Sequence, residues 1–111
     1  MAFVEVAGVS EVPRGSMKSF SAGVWQVLVA NVNGKFYASN NACPHAGWSL
    51  AQGTLNGTTI TCALDGAKFD VISGKCVAGP RIFLFFRGKK PHDNRTFETK
   101  VEAGKIMVDT A

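Results

Sequence analysis

Two short half-sites constrain this chain more than anything else in it: Cys43-Pro44-His45 and, after the sixteen residues 46–61, Cys62-Ala63-Leu64-Asp65-Gly66. Each offers a thiol and, two or three residues further on, a second donor, His45 in the first and Asp65 in the second. Thiolates paired with an imidazole or a carboxylate on two separate loops are an arrangement that closes on one metal centre. Such loops work when a rigid scaffold presents them, so the remainder of the chain is expected to be that scaffold.

Length and composition agree. With 111 residues, 46% of them hydrophobic, twelve Gly and four Pro, the chain suits one domain, 1–111, with a modest core and many turns. The first twenty residues contain Glu5, Glu11, Arg14 and Lys18 and no long apolar run, and nothing later approaches a membrane span, so a cytoplasmic protein is expected. Three cysteines cannot all pair with one another, and two of them stand at ligand spacing, which makes a disulfide framework the poorer reading. Cys76 lies outside both loops and reads as a structural or free thiol.

Hydrophobic alternation points to short strands rather than helices. Strands are expected over 3–7, 17–20, 24–31 and 35–39, the last two joined by Asn33-Gly34, a dipeptide that accepts the positive φ of a tight hairpin. Val24, Val27, Leu28, Val29 and Val32 would then feed a β-core. Further strands are expected over 58–61, 67–71, 75–77, 82–86, 96–102 and 105–108, with Ser73-Gly74 as a turn.

The half-sites sit in a longer pattern: Cys43-Pro44-His45-Ala46-Gly47-Trp48-Ser49-Leu50, Gly53-Thr54-Leu55, Thr61-Cys62, Asp65-Gly66-Ala67-Lys68-Phe69-Asp70, Ser73-Gly74-Lys75 and Gly79-Pro80. In order and spacing this resembles the Rieske iron–sulfur family. The resemblance implies an all-β fold, an antiparallel β-sandwich or open barrel with a small cluster-binding subdomain over about 41–81. It also implies a [2Fe–2S] cluster, one iron held by Cys43 and Cys62 and the other by two histidines, with a proline loop, here Gly79-Pro80, covering a third side. His45 fills the first histidine position. Asp65 fills the second.

An aspartate oxygen, like the ligating imidazole nitrogen, stands two bonds from Cβ, so the reach is kept while the donor changes. A carboxylate is harder than imidazole and adds a negative charge, which disfavours taking up an electron. The reduction potential is expected to fall and the cluster to become labile, or even to be absent. At the positions where high-potential members of the family carry serine and tyrosine hydroxyls stand Ala67 and Phe69, which again lowers the potential. The extra cysteine pair of that branch is missing as well. Trp48 and Phe69 read as core aromatics or as part of an apolar shell around the cluster.

The whole net charge of +4 falls in one segment, 81–95, where Arg81, Arg87, Lys89, Lys90 and Arg95 face a single acid, Asp93; elsewhere seven bases and seven acids cancel. That segment reads as a strand followed by a solvated basic loop, or as a docking surface for an acidic redox partner. No recognition motif accompanies it, so nucleic acid is not an expected partner. The function implied is a small Rieske-type ferredoxin that passes one electron from a reductase to an oxygenase or similar terminal enzyme. The alternative is a cluster-free or mononuclear-metal module acting as a structural or regulatory subunit of a larger reductase. Neither makes the chain an enzyme by itself: no phosphate-binding glycine loop is present, and His45 and His92 are its only histidines.

Overall fold

The computed structural model describes residues 2–43, 47–64, 66–78 and 93–111. Within them the chain is built from short antiparallel strands with two three-residue 3-10 turns. In chain order the strands are β1 (Phe3–Gly8), β2 (Met17–Ala22), β3 (Trp25–Val32), β4 (Lys35–Asn40), β5 (Thr54–Asn56), β6 (Thr59–Thr61), β7 (Lys68–Asp70), β8 (Cys76–Ala78), β9 (Thr96–Phe97), β10 (Thr99–Glu102) and β11 (Lys105–Asp109). They form three sheets, in the orders β1-β11-β10, β2-β3-β4-β9 and β5-β6-β7-β8. Among the described residues no helix is long and apolar enough to cross a membrane.

Strand β3 explains how the sheets share a molecule. Successive side chains of a strand point to opposite faces, and in β3 both faces are buried. Val27 and Val29 enter one core with Val12, Phe36, Phe97, Ile106 and Val108. Leu28 and Ala30 enter the other with Cys43, Leu50, Ile60, Cys62, Phe69 and Cys76. The middle sheet is therefore covered on both sides, which is why 27–31 reads as an unbroken run rather than an alternation. Each fully buried Val or Leu contributes roughly 2 kcal/mol.

Turn chemistry sets the registers. Asn33 (φ 55°) and Gly34 (φ 91°) form the two-residue hairpin that pairs Val32 with Lys35, and the Asn31 side chain accepts the Gly34 amide at 2.8 Å. At the far side, residues 93–95 fasten the third sheet to the second. The Asn94 amide donates to the Gly74 carbonyl (2.7 Å), the Asn94 side chain donates to the Asn40 carbonyl (3.0 Å), the Asn40 amide donates to the Arg95 carbonyl (2.9 Å), and the Cys76 amide donates to the Asp93 carboxylate (2.8 Å). Arg95 then lies over the rings of Trp25 and Phe97, 4.6 and 4.9 Å from their centres.

Four expectations need correction. Val24 is 96% exposed rather than part of the core, because the turn at Gly23 (φ 61°) takes it out of the strand. The strand expected over 96–102 is interrupted at Glu98, where β9 turns from the middle sheet into β10 of the first. Strand β5 was not expected at all. The strand expected over 67–71 is limited to Lys68–Asp70, Val71 having passed into the following turn while staying buried. The strand expected over 82–86 and the Gly79-Pro80 loop lie outside the described residues.

Candidate metal centre

The second half-site is the loop of a β-hairpin. Strands β6 and β7 pair up to Thr61↔Lys68, and the Lys68 ammonium donates to the Thr61 hydroxyl at 3.0 Å. Directly inside that pair, the Cys62 amide donates to the Ala67 carbonyl (2.8 Å) and the Gly66 amide donates to the Cys62 carbonyl (3.0 Å), with Gly66 at φ 78°. The positive φ is what lets the chain reverse in so few residues.

The first half-site repeats this pattern at the same offsets. The Cys43 amide donates to the Trp48 carbonyl (2.8 Å), the Gly47 amide donates to the Cys43 carbonyl (2.8 Å), and Gly47 has φ 70°. Both cysteines thus stand at the same position of the same loop, their side chains in one core, with Cys43 2% and Cys62 1% exposed.

Among the described residues around them, those beneath the loops are apolar and two in the loops are exposed. Leu50, Ile60, Ala67 and Phe69 are buried beneath the loops. Ala67 and Phe69 carry no hydroxyl, so neither adds a side-chain hydrogen bond to a thiolate or cluster sulfur. Trp48 and Leu64, one in each loop, are instead 47% and 52% exposed. Phe69 is therefore buried in the core that holds both cysteines, and Trp48 is a surface aromatic. No Asp, Glu, Lys or Arg stands between Lys35 and Asp65, so the chain around the first cysteine is uncharged.

Cys76 sits in β8, paired with Phe69, and its thiol donates to the Ala78 carbonyl at 3.4 Å. It packs in the same core as the other two cysteines without belonging to either loop. His45 and Asp65, expected at the site, lie outside the described residues, as do His92 and the rest of 81–92 of the basic segment. Two residues that shape the site carry no obvious chemistry in the sequence. Asn41 bridges the first loop, its side chain donating to the Ser49 hydroxyl (2.8 Å) and accepting the Ala51 amide (3.0 Å). Gly53 lies against the Thr61 carbonyl with no room for a β-carbon. An asparagine two residues before a candidate ligand was the available signal for the first; the second was marked only by its place in the family pattern, as Gly53-Thr54-Leu55.

The Rieske [2Fe-2S] domain model matches residues 2–83. The chain belongs to the Rieske family. It is 34% identical over 109 residues to the ferredoxin component of biphenyl 2,3-dioxygenase of Rhodococcus jostii (strain RHA1), covering 98% of this chain and 94% of that one. It is 37% identical over 81 residues to the biphenyl dioxygenase ferredoxin subunit of Pseudomonas sp. (strain KKS102), covering 72% of this chain and 74% of that one. Among solved structures, the fold is that of the ferredoxin of carbazole 1,9a-dioxygenase from Nocardioides aromaticivorans IC177, with TM-score 0.85, 24% identity and full coverage of both chains. A chain in the complex of reduced oxygenase and oxidized ferredoxin of a carbazole 1,9a-dioxygenase matches with TM-score 0.81 and 26% identity, over 96% of this chain and 91% of that one.

This Rieske ferredoxin is an electron carrier with a [2Fe–2S] cluster, not a catalyst in its own right. Its described residues fit that group. Two equivalent loops deliver two buried thiols into one apolar core, as the cysteine half of a Rieske donor set requires.

Proposed function

We propose that the cluster is held by Cys43 and Cys62 on one iron and by His45 and Asp65 on the other. The matched hydrogen-bonding of the two cysteine loops carries this reading: each presents one thiol, and each is followed at the family's spacing by a second donor. The cluster supplies one-electron chemistry. The chain's own residues hold it and exclude water from its inner side through Leu50, Ile60 and Phe69, and the exposed Trp48 and Leu64 give a partner an apolar surface at the loops.

The whole chain, 1–111, acts as one domain in which about 41–81 carries the cluster. It takes one electron from a reductase and delivers it to a terminal oxygenase of the kind that acts on aromatic rings. The names of its relatives support this, since they are ferredoxin components of biphenyl and naphthalene dioxygenase systems. A cytoplasmic location suits cysteines used as ligands rather than as disulfides.

Visible absorption with iron and sulfide analysis tests the site, and stopped-flow mixing of the reduced protein with an aromatic-ring oxygenase tests the role. Two irons and two sulfides per chain, with oxidation by the oxygenase, are expected. A colourless protein would return the cluster-free alternative, and a single metal without sulfide the mononuclear one.

A further inference from the structure

The two cysteine loops have the same internal hydrogen bonds but different supports. The Cys62 loop closes on the ladder of β6 and β7, so the backbone itself fixes its width. Among the described residues, the Cys43 loop has one antiparallel bridge, Ala42↔Ser49, in place of a ladder. Beyond that bridge, the chain leaves at once into the 3-10 turn Leu50–Gln52. Beside a long bond from the Ala42 amide to the Asn40 side chain (3.4 Å), one residue reinforces that bridge. The Asn41 amide donates to the Gln26 carbonyl of β3 (2.9 Å), and its carbonyl accepts the Leu50 amide (2.7 Å). Its side chain donates to the Ser49 hydroxyl and accepts the Ala51 amide. All four bonds start from a residue only 8% exposed, and together they tie both ends of the loop to the middle sheet.

We infer that Asn41 is the positioning residue of the Cys43 loop, setting the span over which this half of the cluster site is held. It acts through Ser49 and the 50–51 backbone rather than by touching the metal. The inference rests on the cluster reading above. Without the carboxamide, the backbone bonds of Asn41 to Gln26 and Leu50 remain, but the ties to Ser49 and Ala51 are lost, so the exit of this loop is held less firmly than the ladder holds the Cys62 loop. Partners that orient metal ligands from behind commonly change metal retention by 10–100-fold when removed.

Asn31 supplies a matched control. It is equally buried, and its side chain likewise donates once, to the Val12 carbonyl (2.8 Å), and accepts once, from the Gly34 amide (2.8 Å), but in the hairpin away from the loops. Asn41→Ala and Asn31→Ala are compared in the cluster-loaded protein for thermal stability, for the rate of cluster loss to an iron chelator, and for the electron paramagnetic resonance spectrum of the reduced form. Similar losses of stability are expected in the two. Cluster loss at least about tenfold faster, with a broadened resonance, is expected in Asn41→Ala alone. Should Asn41→Ala fail to fold, Ser49→Ala removes one of the two side-chain bonds and carries the same comparison, with a smaller effect. Equal rates and unchanged spectra in the Asn41 or Ser49 variant and in Asn31→Ala overturn the inference while leaving the cluster reading intact. A wild-type protein that binds no iron overturns the cluster reading, and this inference with it.

Discussion

Gly53 sits against the carbonyl of Thr61, so that the exit of the first cysteine loop rests on the residue before Cys62. A β-carbon there would also meet the Ala63 amide, 3.3 Å away. The backbone of Gly53 is ordinary, at φ −84°, so the demand for glycine is one of space. Gly53→Ala must push the loops apart and is expected to cost about 2 kcal/mol, the usual scale of overpacking. Gly8→Ala, whose β-carbon would meet nothing nearer than 3.7 Å, serves as the tolerant comparison. Urea denaturation of both variants checks this, and a Gly53 variant as stable as the Gly8 one would show that the two loops do not share that contact.

Replacing Asp65 tests the proposed ligand set directly. Asp65→His removes an anionic donor and restores imidazole, so the reduction potential is expected to rise and the cluster to last longer in air. Protein-film voltammetry and bleaching of the visible bands report these two quantities. An unchanged potential would remove Asp65 from the coordination sphere.

Protons give an independent reading of the same site. If His45 is the one imidazole ligand, at most one ligand proton is released on oxidation in alkaline solution. The limiting slope of potential against pH is then about 59 mV per unit for a one-electron couple. Voltammetry from neutral to strongly alkaline pH measures it, and a slope near twice that value would mean that a second imidazole is bound.

Asp70 makes stability depend on acid. Partial burial pushes its carboxyl up, but bonds from the Ser73 hydroxyl and amide, the Thr58 hydroxyl and the Ile72 amide outweigh this and hold it below its ordinary value. A carboxyl lowered in the folded state stabilises the fold at pH above its unfolded value, about 3.9, and loses that contribution as pH falls through the folded value. The stability difference between the wild type and Asp70→Asn is therefore expected to be constant from neutral pH to about pH 5 and to shrink below about pH 4. Urea melts at three pH values check this. A gap that does not shrink in acid would assign the turn's stability to geometry alone.

Much of the scaffold was legible because short strands between turn dipeptides leave a two-residue rhythm and Asn33-Gly34 leaves a hairpin. Where the sequence misled, the reason was local. Val24 has a strand-former's side chain but follows a glycine that turns the chain, and Thr54-Leu55-Asn56 is too short to show alternation. At the site, the two loops that carry Cys43 and Cys62 were legible from spacing. The roles of Asn41 and Gly53 were not, although Gly53 stood in the family pattern, because what they do depends on contacts with Ser49, Ala51 and Thr61 that only the folded chain creates.

Strand β3 has no idle face. Val27 and Val29 answer to one core while Leu28 and Ala30 answer to the other, so a change of volume at any of the four is felt by a different neighbourhood from a change at the next position. The strand is thereby the part of the molecule least able to drift. A chain that altered its loops for a new partner, or its ligands for a new potential, would do so against this fixed reference, much as a tool is re-tipped without recutting its shank.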